Sequence, residues 1–151
     1  MKSSVMTLRR AYRISGLVQG VGFRPFVYRL ASQLGLTGFV RNQGSHVLIE
    51  IEGDTRAVER FPVALRAQLP PLACLDDLVC EDLPLRRDAS FEIIASGPGA
   101  ERLVRVGADV ATCADCMAEL FDPRDRRYRH PFANCTNCGP RLTLITNVPY
   151  D

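Results

Sequence analysis

The sequence has 151 residues, 46% of them hydrophobic and 24% charged, which is the profile of a globular chain of one domain or one small domain with an appendage. Charge is balanced along it: residues 1–96 hold 12 Lys+Arg against 10 Asp+Glu and the remainder holds 7 of each, so bulk charge gives no reason to expect nucleic-acid binding. No apolar run approaches the roughly 18 residues that a membrane span needs, and the N-terminus lacks the long apolar stretch and small-residue cleavage site of a signal peptide. A cytoplasmic protein is expected, with its six cysteines as reduced thiols or metal ligands rather than disulfides.

In chain order, Met1–Thr7 reads as a short disordered lead. Ala11–Ser15 alternates as a strand does. Phe26, Val27, Leu30 and Leu34 recur at helical spacing, and Gly35 ends that helix. Leu36–Arg41 and Val47–Glu52 are two further strands joined across the turn-rich stretch Asn42-Gln43-Gly44-Ser45. Asp54 or Thr55 caps a second helix with Val58, Phe61, Leu65 and Leu69 on its apolar side, ended by Pro70-Pro71. Leu75–Leu83 is a fourth strand, bulged because Leu75, Leu78 and Cys80 break alternation, and Phe91–Ile94 is a short closing strand. The order βαββαβ over residues 8–95 predicts an α+β, ferredoxin-like domain, an antiparallel sheet with two helices on one face. Ala95–Ala100 opens a linker over 96–108, and 109–151 forms a second segment.

Two groups of residues carry chemistry. The first is Gly16-Leu17-Val18-Gln19-Gly20-Val21-Gly22-Phe23-Arg24-Pro25, a glycine-punctuated turn between a strand and a helix. Backbone N–H groups of such a turn make an anion cradle, and the Arg24 guanidinium adds a permanently charged fork suited to phosphate. The helix dipole disfavours a cation at that position, which argues for a functional rather than an incidental arginine. Asn42 can hold a water without competing as a charge, although Asn is also a common turn residue. His46 reads as a solvated loop residue near that site.

The second group is Cys113-Ala114-Asp115-Cys116, then eighteen residues, then Cys135-Thr136-Asn137-Cys138. Paired CxxC motifs at this separation predict a closed, structural zinc site with four cysteine ligands. Four thiolates leave a formal charge of about −2, which Arg124, Arg126, Arg127, Arg129 and Arg141 are positioned in sequence to offset; a solvated loop around zinc is preferred over a nucleic-acid patch. His130 reads as a loop residue, since four ligands are already present. Cys74 and Cys80 read as buried strand cysteines.

Gly16–Arg24, with Asn42 after the next strand, resembles the acylphosphatase motif. The form Gln19-Gly20-Val21-Gly22-Phe23-Arg24-Pro25-Phe26-Val27-Tyr28 is more similar to the N-terminal domain of the HypF carbamoyltransferases of [NiFe]-hydrogenase maturation. Asp122-Pro123, Arg126-Arg127-Tyr128, Pro131-Phe132, Asn134, Gly139-Pro140-Arg141 and Pro149-Tyr150-Asp151 around the cysteines are similar to the first HypF zinc finger. The resemblance implies hydrolysis of carbamoyl phosphate or another acyl phosphate, with Arg24 and Asn42 catalytic and the N–H groups of Val18, Gln19, Gly20, Val21, Gly22 and Phe23 binding phosphate. It implies Zn²⁺ on Cys113, Cys116, Cys135 and Cys138. It also implies ATP use and a HypE-like maturation partner, both belonging to domains that in that family follow the finger and that these 151 residues do not contain. The alternatives are a generic acylphosphatase with a zinc appendage and a non-catalytic, zinc-dependent partner-binding module. With its own core and a Gly97-Pro98-Gly99 linker, the 8–95 domain is expected to stay folded and active when zinc is removed.

Overall fold

The computed structural model describes residues 6–96, 110–135, 138 and 139. The linker beyond Ser96, Arg141 and Pro149–Asp151 lie outside those residues. Seven elements build the first domain: β1 (Thr7–Leu17), α1 (Phe23–Gln33), β2 (Thr37–Gln43), β3 (His46–Asp54), α2 (Thr55–Ala67), β4 (Cys74–Leu83) and β5 (Phe91–Ile93). The sheet order is β4-β1-β3-β2-β5. The first four strands pair antiparallel in the ferredoxin-like arrangement. The closing strand departs from expectation, because β5 joins the far edge parallel to β2.

Alternation decides which side of each strand is buried. Tyr12 and Ile14 of β1, Val40 of β2 and Val47, Ile49 and Ile51 of β3 form one core with Val27, Leu30 and Ala31 of α1 and Val58, Phe61 and Leu65 of α2. The Tyr12 and Phe61 rings lie 5.6 Å apart, which seats α2 over β1. Each helix starts and stops on local signals. Pro25 falls in the first turn of α1, where a missing N–H forfeits no bond. At its other end Gly35 N–H donates to Ser32 O and Leu36 N–H to Ala31 O, at 3.1 and 2.9 Å, the Schellman arrangement. Asp54 caps α2, its Oδ1 accepting from Arg56 N–H at 3.0 Å.

Three findings concern the edges. Thr7 is not part of a disordered lead; it opens β1, opposite Asp54. Cys74 and Cys80 are exposed rather than buried, because β4 is an edge strand with most of its residues open to solvent. The bulge predicted in β4 is present, with Ser15 opposite Asp77 and Gly16 opposite Leu75, so that Asp76 is the inserted residue.

The chain passes from β4 at one edge to β5 at the other by crossing the helix-free face of the sheet. Pro84 O accepts from Arg9 Nη1 at 3.0 Å. The Glu52 carboxylate accepts from Arg86 N–H and Arg87 N–H at 2.7 and 2.9 Å. Ser90 O accepts from Gly38 N–H at 3.0 Å. Arg9 also pairs with Glu50. Two charged side chains, Arg9 and Glu52, are thereby buried under the crossing segment with hydrogen-bond partners in place. No helix of the described residues is long and apolar enough to cross a membrane.

Candidate functional site

The glycine-rich turn leaves β1 at Leu17 and enters α1 at Phe23. Val18, Val21 and Phe23 sink their side chains into the core at 1%, 5% and 1% exposure. The turn is thus anchored by its apolar side chains. Gly22 caps α1 at φ 73°, a left-handed conformation that glycine adopts without steric cost. Among the described residues, the N–H groups of residues 19–22 donate to no acceptor. N–H groups at a helix N-terminus, where the dipole is positive, are of the kind that can bind an anion. Arg24 is the second residue of α1, directly after that turn, and is partly exposed.

The structure moves Asn42 from the expected loop into the end of β2, opposite Val47 on β3. The hairpin turn is only Gly44-Ser45, since Gln43 pairs with His46. Asn42 shares the helix-side face with Val40 and is 2% exposed. Its Oδ1 is buried and has no hydrogen-bond partner among the described residues. An unsatisfied buried amide oxygen costs about 1–3 kcal/mol unless a ligand or water serves it. The turn and the strand end are held together directly: Gln19 Nε2 donates to Gly44 O at 3.1 Å. Val18–Phe23, Arg24 and Asn42 therefore gather at one end of the sheet, on one face. His46 does not join them. It lies one register position from Asn42's partner, on the opposite face, where burial and then Arg13 push its pKa down.

The cysteines converge as predicted. Cys113 precedes a helix, α3 (Ala114–Phe121), which carries Cys116. The four Sγ atoms of Cys113, Cys116, Cys135 and Cys138 lie within 4.8 Å of one another. Cys113–Cys135 are 3.5 Å apart, and Cys116–Cys138 and Cys135–Cys138 are each 3.8 Å apart. Tetrahedral Zn²⁺ with Zn–S bonds of about 2.3 Å requires sulfur separations of about 3.8 Å, so the donor set fits the ion. Backbone N–H donation from Cys116 lowers the Cys113 pKa, whereas burial raises that of Cys116. A cation must hold the set deprotonated together. Among the nearby arginines, Arg124 pairs with Asp122 and Arg129 stacks over Tyr128 at 5.1 Å, whereas Arg127 pairs with Glu119 and also interacts electrostatically with Cys116. His130 is an exposed loop residue whose ring meets Phe132.

One contact joins the two groups. Gly139, at φ 70°, follows Cys138 and donates its N–H to Cys135 O at 2.9 Å. A Cβ on Gly139 would fall 2.2 Å from the carbonyl oxygen of Gly20. The second cysteine knuckle therefore sits against the glycine-rich turn, which a finger independent of the catalytic domain would not do. Sequence reasoning also missed the structural use of the Gln19 side chain and the burial of Glu52 and Arg9. For Gln19 the available signal was a polar residue between apolar anchors in the turn.

Residues 10–93, more than half of the chain, match the Acylphosphatase family model. The chain belongs to the acylphosphatase family. Residues 112–145 match a second model, the HypF finger. The acylphosphatase of Thermotoga petrophila is 42% identical over 71 residues, covering 46% of this chain and 78% of that protein. Carbamoyltransferase HypF2 of Cupriavidus necator is 49% identical over 147 residues, 96% of this chain. The crystal structure of full-length HypF in the phosphate- and nucleotide-bound form superposes with a TM-score of 0.89 at 39% identity over 100% of this chain. This chain spans 18% and 20% of the lengths of those two HypF proteins. Its acylphosphatase domain and finger together correspond to a HypF N-terminal region.

Proposed function

We propose that this chain is the phosphate-releasing part of a HypF-type carbamoyltransferase, in which it hydrolyses carbamoyl phosphate. The observation that carries the reading is Asn42 Oδ1, a buried acceptor that has no partner among the described residues, beside a turn in which the N–H groups of residues 19–22 donate to none of them either. An acceptor and a set of anion-facing donors on either side of one small space suit a water and a phosphoryl group.

Carbamoyl phosphate is a mixed anhydride whose carbamate departs readily, so positioning and charge stabilisation suffice. The N–H groups of residues 18–23, apart from those turned into the strand or helix, and the Arg24 fork hold the phosphoryl oxygens. Asn42 Oδ1 accepts a hydrogen bond from water and directs its oxygen at phosphorus, in line with the carbamoyl oxygen. The P–O bond to that oxygen breaks as the bond to water forms, and phosphate and carbamate leave. Zn²⁺ on Cys113, Cys116, Cys135 and Cys138 is structural, because four protein ligands leave no open position. In the whole protein, carbamate would pass to ATP-dependent domains acting with a HypE-like partner in the cytoplasm, for [NiFe]-hydrogenase maturation.

The test is release of phosphate from carbamoyl phosphate and from acetyl phosphate by the unaltered chain and by Asn42→Ala. Asn42→Ala is expected to lower kcat far more than it raises KM, while inorganic phosphate still inhibits competitively. Turnover of neither substrate, or an unchanged kcat in Asn42→Ala, would overturn the reading.

A further inference from the structure

The contact of Gly139 with the Gly20 carbonyl has a stereochemical consequence. The Gly20–Val21 peptide is planar and trans, so the Val21 N–H points opposite to the Gly20 C=O. Whatever fixes that carbonyl from behind also aims that N–H in front. Gly139 reaches the carbonyl oxygen only because it has no side chain: the Cβ position is 2.2 Å away, well inside contact distance. Its left-handed φ of 70° and its N–H bond to Cys135 O are parts of the cysteine knuckle. The knuckle's geometry is set by the metal its thiolates hold.

We infer that Gly139 is a positioning residue for phosphate: the zinc knuckle braces the Gly20 carbonyl and thereby holds the Val21 N–H on the phosphoryl group. The finger is then one wall of the phosphate site and not only a neighbouring module. This inference rests on the phosphate-binding reading proposed above. It predicts that disturbing the knuckle weakens phosphate binding while every residue of the 6–96 domain is intact.

Gly139→Asn is the informative substitution, because Asn tolerates a left-handed φ yet brings a Cβ. Gly35→Asn is the matched control: φ there is 65°, and a Cβ would meet nothing within 4 Å. Three readouts are taken on the full chain: zinc content, inorganic phosphate affinity by calorimetry, and the amide resonance of Val21. Gly139→Asn should keep its zinc, shift the Val21 resonance and bind phosphate about tenfold more weakly, and Gly35→Asn should match the unaltered chain. If Gly139→Asn fails to retain zinc, chelation of the unaltered protein replaces it, with the same loss of phosphate affinity expected. Unaltered phosphate affinity and an unmoved Val21 resonance, in the substituted or chelated protein, would overturn the inference. Absence of phosphate binding by the unaltered chain would instead overturn the functional reading beneath it.

Discussion

Gln19 and Gly44 are 25 residues apart, and a single hydrogen bond from the Gln19 side chain to the Gly44 carbonyl, 3.1 Å long, spans the glycine-rich turn and the β2–β3 hairpin. It fixes the distance between the N–H groups that would hold phosphate and the Asn42 amide that would hold water. Gln19 is 8% exposed, so the bond is shielded from solvent competition. Gln19→Leu keeps the volume and leaves Gly44 O unserved. The expected outcome is a stability loss of about 1 kcal/mol in urea unfolding, with a larger proportional fall in kcat, since an in-line attack tolerates little misplacement.

Arg24 stands in the first turn of α1, where the helix dipole disfavours a cation and a bound anion relieves that repulsion. Arg24→Ala should lower kcat/KM on the order of 10²-fold or more, because its charge-assisted bonds strengthen as charge develops on the phosphoryl oxygens. Arg24→Lys should recover little of it, since one ammonium cannot reproduce the planar fork. Steady-state kinetics with acetyl phosphate decides the point: an alanine variant with near-normal turnover removes Arg24 from the site. Structural stability should change little in either variant, as the side chain is partly exposed.

One equivalent of zinc is expected in freshly purified protein, and chelation should disorder the Cys113–Gly139 segment, whose buried cluster is little more than Cys116, Ala133 and Cys138. The 6–96 domain has its own core and should remain folded, with its circular dichroism largely preserved. Activity, however, should fall along with zinc if the glycine-rich turn that Gly139 lies against binds phosphate as proposed. Metal analysis and turnover followed through a chelator titration test this directly; full activity at zero zinc would contradict it.

His46 gives a pH signature separate from catalysis. Its pKa is lowered in the folded protein by burial and then by Arg13, from an ordinary value of 6.5. The unfolded chain therefore binds the proton more readily. The His46 contribution is fully present above about pH 6.5 and is lost as pH falls through the lowered folded value. His46→Gln should flatten the decline of Tm between about pH 6.5 and 5, measured by thermal scans across that range, and should leave kcat at pH 7 unchanged, since His46 faces away from Asn42.

The two helices, the core positions and the convergence of the four cysteines were legible in the sequence because local rules govern them. Gly35, Asp54 and the Phe26-Val27-Leu30 spacing act within a turn or two of where they stand, and the CxxC pairs carry their own geometry. What could not be read depends on partners distant in sequence. Asn42 looks like a turn residue until Gln43 is known to pair with His46. Cys74 and Cys80 look buried until β4 is known to be an edge. The parallel attachment of β5 depends on Arg9 and Glu52, which lie more than thirty residues before the segment they hold. The Gly139–Gly20 contact spans almost the whole chain, and no local pattern announces it.

The crossing segment that carries the chain over the open sheet face also makes folding depend on pairings far apart in the sequence. The β2–β3 hairpin closes across two residues and α1 and α2 form locally, so these steps are fast. The inner strand β1, already paired with β3, gains its second partner only with β4, whose register partner for Arg9 is Leu83, and the chain that leads to β5 lies over Arg9 and Glu52. Such non-local closure is the slow step for a chain of this topology. During synthesis the same logic applies in time: until residues 74–93 have emerged, β1 and β2 each expose an unpaired edge. Arg9 and Arg10 on one and Arg41 on the other are charges of the kind that keep such edges from joining a neighbouring chain.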